Sequence, residues 1–310
     1  MNDAAPPTLP SHRAAFLRRR RAIEQGASTG APAGTQAGAW RAFKGAVRLG
    51  GRLLARTPLY ARGVRNALDL RLTRLEFSFP DLPPAFDGYS LLHLSDLHCD
   101  RLEGIVEAVC GAVAGLAPDL CVMTGDYGHG HRRLERVLAA MAEIVAEVHA
   151  ADGILATLGN HDTAAMVAPL EAMGVRVLVN ESVTLARGAE AVHVTGTDDV
   201  HNFHSAAADA AMANGPAGFR IALVHSPEAA EQAARAGVRL YLAGHTHGGQ
   251  VCLPGGFAVV TNLRCRRAYA GGLWRLDGMT GYTTRGIGVS LLPLRFNCPA
   301  EIALITLKRG

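Results

Sequence analysis

The chain has 310 residues, of which 49% are hydrophobic, 19% charged and 5% aromatic. This composition is typical of a globular protein and excludes a collagen-like, coiled-coil or wholly disordered chain. The net charge of +4 hides a split, because residues 1–80 carry 14 Lys and Arg against 4 Asp and Glu, whereas residues 81–310 carry 17 against 23. A basic front of charge +10 therefore precedes a mildly acidic body of charge −6.

The sequence contains no signal for export or membrane spanning. No apolar run reaches the roughly 18–20 residues of a transmembrane helix. Arginines at 18–21 precede a segment without the apolar stretch of a secretory or twin-arginine signal. Six cysteines occur without a CxxC pair, so reduced thiols are expected. We predict a cytoplasmic protein, or one that is peripheral on the inner face of the cell membrane.

The basic front divides into two segments. Residues 1–39 are rich in Ala, Gly, Pro, Ser and Thr, and such a segment buries too little apolar surface to offset its ordering entropy. We predict that it is disordered, or helical only around Ala14 to Glu24. Residues 40–69 are predicted to be a basic amphipathic helical segment, with Trp40, Phe43, Ala46, Val47, Gly50, Leu53 and Leu54 on one face and Arg41, Lys44, Arg48, Arg52 and Arg56 on the other.

Three explanations of the amphipathic segment remain open. It could lie on anionic lipid, where each basic residue contributes about 1 kcal/mol. It could instead pack on the body with its arginines in solvent. Nonspecific nucleic-acid binding is the third explanation, although no recognition module for nucleic acid is present. The prediction is a contact with an anionic membrane surface through residues 40–60, and no specific nucleic-acid partner.

From about residue 70, short apolar runs alternate with helix-like stretches. Five of the runs end in polar residues that include Asp, Asn or His: YSLLHLSDLHCD, DLCVMTGDYGHG, GILATLGNHD, FRIALVHSPE and VRLYLAGHTHGGQ. Helix-like stretches at 101–115, 132–150 and 163–173 lie between the earlier runs, and the later part is richer in strands. This order predicts an α/β domain over residues 70–310 with mixed sheets.

The five strand ends carry two carboxylates, one amide oxygen and five imidazoles. Functional residues gather at the carboxyl ends of strands because a rigid sheet holds the loops there. So many ligands suit two divalent ions such as Mn, Fe or Zn better than Ca or Mg. Two such ions about 3.5–4 Å apart can activate a water and stabilise an in-line phosphoryl displacement. The residues are Asp96, His98, Asp126, Asn160, His161, His225, His245 and His247.

Local spacing supports this grouping. Residues two apart on an extended strand point to the same side, so Asp96 and His98 are expected to share a metal. Gly125, Gly159 and Gly244 directly precede candidate ligands. A missing Cβ lets the backbone turn tightly and approach the ions there.

The ordered motifs DLH, GD, GNHD, VH and GHTH resemble those of the calcineurin-like metallophosphoesterase superfamily over about residues 85–310. The longer stretches GHTHGGQVCLPG and TRGIGVSLLPLRFNCPAEIALITL resemble its bacterial branch of YaeI-like and YkuE-like phosphodiesterases and some UDP-diacylglucosamine pyrophosphatases. The resemblance implies a four-layer α/β/β/α sandwich of two mixed sheets, with a dinuclear metal site at the strand ends.

The resemblance also implies a role for each matching residue. Asp96, His98 and His247 would hold the first metal, Asp126 would bridge both metals, and Asn160, His225 and His245 would complete the second. A hydroxide held between the metals would attack phosphorus. His161 would protonate the leaving alkoxide or steady the phosphate, since the ordinary pKa of histidine lies near the working pH.

Other polar residues near these motifs are candidate substrate contacts. His129 and His131 follow the GD motif, and His201 lies in a predicted polar loop. Each could instead be a solvated loop residue. Arg285 and Arg295 could bind a phosphate or diphosphate, or could hold the C-terminal turn.

The predicted function is metal-dependent hydrolysis of a phosphodiester or pyrophosphate bond. A membrane lipid such as UDP-2,3-diacylglucosamine fits the resemblance and the basic front. The alternatives are a soluble nucleotide or glycerophosphodiester substrate, and a noncatalytic metal-binding scaffold docked on membranes.

Overall fold

The computed structural model of the protein describes residues 11–26, 35–129 and 133–310. Three helices come first in these ranges: α1 (Ser11–Gly26), α2 (Thr35–Leu54) and α3 (Pro58–Leu68). They lead into an alternation of strands and helices that forms two six-stranded sheets. No helix of the described part is long and apolar enough to cross a membrane, and all six cysteines are free thiols.

The first sheet has the strand order β1-β14-β2-β3-β4-β5. Strand β14 is antiparallel to β2 and parallel to β1, while β2 to β5 are parallel to one another. The parallel connections require crossovers, which three helices supply. The strands are β1 (Arg71–Phe79), β2 (Ser90–Leu94), β3 (Leu120–Met123), β4 (Ile154–Ala156), β5 (Val175–Val177) and β14 (Glu301–Arg309), and the helices are α4 (Ile105–Val113), α5 (Leu134–Glu147) and α6 (Val167–Ala172).

The second sheet has the strand order β12-β13-β9-β8-β7-β6. Its inner strands are parallel, whereas β6 pairs with β7 and β12 with β13 in antiparallel hairpins. The elements are β6 (Glu181–Arg187), β7 (Glu190–Gly196), α7 (Ala206–Ala213), β8 (Phe219–Leu223), α8 (Ala230–Arg235), β9 (Leu240–Ala243), β12 (Gly272–Leu276) and β13 (Met279–Thr283). A small hairpin, β10 (Cys252–Leu253) and β11 (Phe257–Ala258), projects from the segment between β9 and β12.

The apolar side chains form three clusters that define the layers. Alternation along β2 places Leu91 in the cluster between the sheets and Leu92 in the cluster under the helices of the first sheet. The second sheet packs Leu242 into the central cluster and Tyr241 against its own helices. The predicted arrangement of two mixed sheets flanked by helices is therefore confirmed.

The cluster between the sheets contributes to stability through its buried apolar side chains. We expect Leu242→Ala to lower the free energy of unfolding by about 2–5 kcal/mol, because it leaves a cavity at a fully buried position. Urea denaturation followed by circular dichroism measures this loss. Leu273→Ala, at a position 49% exposed on β12, is the matched control, with an expected change of about 0.5 kcal/mol or less. Equal losses in the two variants would contradict the central role of the cluster.

The basic front differs in part from the expectation of disorder over residues 1–39. Residues 11–26 form α1, and Phe16 of this helix is buried in the cluster of the first sheet. The helix includes the stretch Ala14 to Glu24 that was predicted as the helical alternative. Long-range polar contacts from Arg13, Arg19 and Arg20 hold it in place. The predicted division into segments 1–39, 40–69 and 70–310 remains a prediction.

Two helices, α2 and α3, lie in the predicted amphipathic segment 40–69, and α2 contains its first part. Gly51 of α2 is buried against Leu292, whereas Leu49 and Leu53 are 59% and 68% exposed. The side chains of Trp40 and Phe43 lie outside the described part of the structure. Helix α2 therefore contacts the body at Gly51 and keeps two large apolar side chains, Leu49 and Leu53, in solvent.

Candidate metal centre

All seven predicted metal ligands lie in loops at the carboxyl ends of strands, and both sheets contribute. Strands β2, β3 and β4 of the first sheet lead to Asp96 and His98, to Asp126 and to Asn160, respectively. Strands β8 and β9 of the second sheet lead to His225 and to His245 and His247. The loops are tied together directly, since the backbone N–H of His245 donates to the Asp96 carboxylate at 3.0 and 3.1 Å.

Four of these residues bring donor atoms into a first group. His98 Nε2 lies 3.2 Å from His247 Nε2 and 3.6 Å from Asp126 Oδ2. His247 Nε2 lies 3.5 Å from Asp96 Oδ1. All four side chains are buried. Asp96, His98 and His247 thus offer ligand atoms close enough together to hold one metal ion.

The second group shares Asp126 with the first. Asp126 Oδ2 is 3.3 Å from His225 Nε2, which is 3.1 Å from Asn160 Oδ1. His245 Nδ1 lies 2.8 Å from the same amide oxygen and 3.3 Å from His225 Nε2. Donor atoms bound about 2.0–2.1 Å from one ion lie roughly 3–3.4 Å from each other, so these separations fit a metal ion.

The backbone at the ligands is left-handed rather than extended. Positive φ angles occur at Asp96 (54°), His98 (41°), Asp126 (58°), His245 (72°) and His247 (50°). Asp96 and His98 were expected to share a metal because they would lie on an extended strand. The two residues do come together, but their backbone is not extended. Both residues follow β2, and the left-handed turns aim their side chains inward. Such conformations are costly for non-glycine residues and are concentrated at functional sites.

Glycines next to the ligands allow the loops to touch. A Cβ at Gly159 would collide with Asp126, and a Cβ at Gly244 would collide with Ser95 and Asp96. Gly125 has a φ of 91°, and a Cβ there would collide with the backbone of Gly159. The close approach predicted for these three positions is thus needed to bring the carboxylates to the centre of the site.

The charge state of the cluster suits cation binding. Burial lowers the pKa of His98, His245 and His247 well below the ordinary histidine value, so each offers a lone pair at neutral pH. Burial also disfavours protonation of His225, but the carboxylates of Asp126 and Asp96 outweigh it and raise the His225 pKa well above its ordinary value. The carboxylates therefore stabilise a positive charge at the point where the second group converges.

His161 and His129 line one edge of the first group. The backbone N–H of His161 donates to Asp126 Oδ1 at 2.8 Å. The imidazole of His161 is partly exposed and lies beside His98. His129 stacks on His161 with ring centroids 4.1 Å apart. Burial is the main cause that lowers the pKa of both imidazoles. His131 lies outside the described residues.

His201 lies at the opposite edge, beside the second group. Its ring centroid is 4.5 Å from that of His245, and its Nδ1 is 2.9 Å from the Glu228 carboxylate. Glu228 also accepts from the backbone N–H of Arg264 at 2.9 Å. The structure therefore places both His129 and His201 close enough to the cluster to contact a substrate.

The two candidate arginines have different surroundings. Arg295 is completely buried, and its guanidinium donates to the carbonyls of Arg285, Gly286 and Gly288 at 2.7–3.2 Å. These donors hold the C-terminal turn, which is one of the two roles that the sequence suggested for Arg295. Arg285 remains partly exposed and faces Glu301 at 3.7 Å.

Asp162 is a further member of the centre that the sequence analysis did not select. Its carboxylate accepts from the backbone N–H groups of Asp126, Tyr127 and Gly159 at 2.7–2.9 Å. It thereby joins the loop after β3 to the loop after β4. The signal in the sequence that could have identified Asp162 is its position in the GNHD motif, two residues after Asn160.

Comparisons with known proteins agree with this geometry. The profile of the calcineurin-like phosphoesterase family matches residues 89–249. Metallophosphoesterase YkuE of Bacillus subtilis is 31% identical over 73% of this chain and 82% of its own length. Phosphodiesterase YaeI of Escherichia coli is 31% identical over 71% of this chain and 82% of its own length.

A shorter match concerns a pyrophosphatase. UDP-2,3-diacylglucosamine pyrophosphatase LpxG of Chlamydia trachomatis is 31% identical over 100 residues, which are 32% of this chain and 30% of that protein. The similarities to YkuE and YaeI and the profile, together with the strand-end cluster, identify the protein as a metal-dependent hydrolase that belongs to the calcineurin-like phosphoesterase family.

Proposed function

We propose that the chain hydrolyses a phosphodiester or pyrophosphate bond with two divalent ions, for which Mn, Fe and Zn are the candidates. In this proposal Asp96, His98 and His247 hold one ion, and Asn160, His225 and His245 hold the other, with Asp126 shared. The observation that carries it is the convergence of buried donor atoms in two groups with one common carboxylate. When bound, the ions supply Lewis acidity and an activated water.

The remaining chemistry falls to side chains of the chain itself. His161 is proposed to give a proton to the leaving oxygen, because its imidazole is partly exposed next to the first group. Burial lowers the pKa of this imidazole, so the role requires the negative charge of a bound phosphate to favour the protonated form. His129 would orient that imidazole through the ring stack. His201, oriented by Glu228, and the partly exposed Arg285 are proposed as contacts for the phosphate or diphosphate.

Metal content and a substrate panel test this function. The full-length protein is depleted of metal with a chelator, reloaded with Mn²⁺, Fe²⁺ or Zn²⁺, and assayed on a phosphomonoester, an aryl phosphodiester and a nucleoside diphosphate sugar. We expect two ions per chain and metal-dependent cleavage of the diester or diphosphate. Two bound ions without hydrolysis of any member would support the noncatalytic scaffold instead.

We further propose a lipid-linked substrate, with UDP-2,3-diacylglucosamine as the leading example. The support from the structure is an apolar hairpin that packs on the turn carrying His245 and His247. Leu253 on β10 is 53% exposed and Phe257 on β11 is 59% exposed. The hairpin packs on the turn that carries the ligands, since Cys252 Sγ donates to Gly248 O at 3.2 Å. Large exposed apolar side chains beside a catalytic site favour an apolar ligand.

A polar cleft borders the second ligand group. It has a volume of about 370 Å³, and its lining includes Glu228, Arg235 and Arg264. Glu228 contacts His201, which in turn packs on His245. An amphiphilic substrate could therefore place its acyl chains on the hairpin and its polar head in the cleft. The name of the short pyrophosphatase match, LpxG, supports the same class of substrate.

Removing the apolar hairpin surface tests the lipid proposal. For Leu253→Ser combined with Phe257→Ser, we expect the KM for UDP-2,3-diacylglucosamine in micelles to rise at least about tenfold, since burying one such side chain is worth about 1.5–3 kcal/mol. Activity on a soluble aryl diester should stay unchanged. Leu273→Ser, an exposed apolar position outside the hairpin, is the control. An unchanged KM would favour a soluble nucleotide or glycerophosphodiester.

Membrane contact through residues 40–60 is proposed as the means of reaching such a lipid. Leu49 and Leu53 are exposed on α2, and Arg48 and Arg52 are exposed on the same helix. Exposed leucines next to arginines suit a surface of anionic lipid. Flotation of the protein with phosphatidylglycerol vesicles measures this contact, and equal flotation of a chain lacking residues 1–60 would contradict it.

A further inference from the structure

An arginine of the N-terminal helix is buried next to the candidate metal centre. Arg20 belongs to α1 and is only 1% exposed, although it lies 69 positions before the family match begins. A buried guanidinium is costly unless all its donors find acceptors. The acceptors of Arg20 therefore indicate why the chain tolerates this burial.

Two of the acceptors are backbone carbonyls of the loop that follows β4. Arg20 Nη2 donates to Gly159 O and to Asp162 O, each at 2.7 Å. These carbonyls flank Asn160 and His161, the two residues of the loop that face the cluster. The planar fork of arginine joins both flanks through one rigid group.

Other contacts hold the guanidinium in place. Its Nη1 pairs with the buried carboxylate of Asp198, and its Cζ lies 3.8 Å from the ring centroid of Phe203. Its Nε donates to Glu24 Oε1 at 3.1 Å. Glu24 also accepts from the backbone N–H of Ala164 at 2.8 Å. Thr163 Oγ1 also donates to Glu24 Oε2 at 3.0 Å, so helix α1 contacts the loop at four points between residues 159 and 164.

We propose that Arg20 is a positioning residue that holds the loop after β4, so that the Asn160 side chain reaches the second ligand group. This rests on the proposed two-metal function. Groups that orient metal ligands commonly control metal affinity by 10–100-fold when removed. The proposal extends the functional unit to a helix that lies outside the matched family region.

A matched pair of full-length variants separates positioning from simple docking of α1. Arg20→Met removes the contacts to the loop and keeps a side chain of similar length. Arg13→Met is the control, because Arg13 also anchors α1 but donates to Val177 O at 3.1 Å and pairs with Glu171 and Glu181. Metal-free protein is titrated with Mn²⁺, and free Mn²⁺ is followed by its electron paramagnetic resonance signal.

We expect two binding steps in the unsubstituted protein. In Arg20→Met the second step should weaken at least about tenfold while the first is retained, and excess Mn²⁺ should restore most of the kcat. Arg13→Met should keep both steps. Equal weakening of both steps, or the same selective loss in Arg13→Met, would overturn the proposal.

A milder variant keeps the test decisive if Arg20→Met does not fold. Glu24→Ala removes the acceptor of the Ala164 N–H and leaves Arg20 paired with Asp198. We expect a smaller weakening confined to the second Mn²⁺ step, and unchanged binding in this variant would count against the proposal. If the unsubstituted protein bound none of Mn²⁺, Fe²⁺ and Zn²⁺, the proposed two-metal function itself would fail.

Discussion

Hydrolysis of an aryl phosphodiester should fall on the order of 10³-fold in Asp126→Asn, which corresponds to about 4 kcal/mol of transition-state stabilisation. Asp126 Oδ1 accepts the backbone N–H of His161, whereas Oδ2 faces His98 and His225. Asparagine can preserve the first contact with its carbonyl oxygen. Its NH₂ group would occupy the Oδ2 position, where it cannot bind a cation.

The expected loss therefore comes from the shared ligand and not from a misfolded loop. Metal analysis of the purified variant should give fewer than one ion per chain, and its circular dichroism spectrum should match that of the unsubstituted protein. Asp277→Asn, at an exposed carboxylate away from the cluster, serves as the control and should keep both ions. Full activity of Asp126→Asn with two bound ions would refute the ligand assignment.

The second large effect is expected in His161→Ala, and it should depend on the leaving group. General acid catalysis contributes about 10²–10⁴-fold when the departing oxygen needs a proton. We expect a loss of this size in kcat for a dialkyl phosphodiester, whose alkoxide is a poor leaving group. A p-nitrophenyl diester should lose less than about tenfold, since nitrophenolate departs without a proton.

Metal content distinguishes this effect from loss of ligands. His161→Ala should retain two ions, because its backbone N–H still donates to Asp126. His129→Ala, which removes only the stacked neighbour, should cost less than His161→Ala on the dialkyl substrate. Equal losses of kcat on both diesters, accompanied by a raised KM, would indicate that His161 binds the phosphate. They would contradict its role as the general acid.

The sequence predicted much of the fold and which polar side chains converge at the strand ends. Strand ends could be located because apolar runs stop at DLH, GD, GNHD, VH and GHTH. The carboxyl ends of parallel strands meet at one edge of a sheet, so the polar residues were expected to converge. The order of strands within the second sheet and the position of β14 depend on long-range pairing that local patterns do not encode.

The contributions of arginine were poorly predicted for a related reason. Arg20 lies in a segment whose composition indicates disorder, and only its distant acceptors after β4 explain its burial. Arg295 was considered for phosphate binding, but its guanidinium donates to backbone carbonyls of its own turn. A charged residue in a sequence does not reveal whether its partners are solvent, substrate or backbone.

Each ligand group draws on both sheets, and this links ion binding to the docking of the sheets. The first group needs His247 from the second sheet, and the second group needs Asp126 and Asn160 from the first. Neither sheet alone can hold a complete set of donors, so a chain whose sheets have separated would release its ions. Ligand occupancy stabilises a native state by about 2.7 kcal/mol at 100 times the dissociation constant. In the proposed two-metal protein, bound ions would thus add to the free energy of unfolding as well as supply the chemistry of hydrolysis.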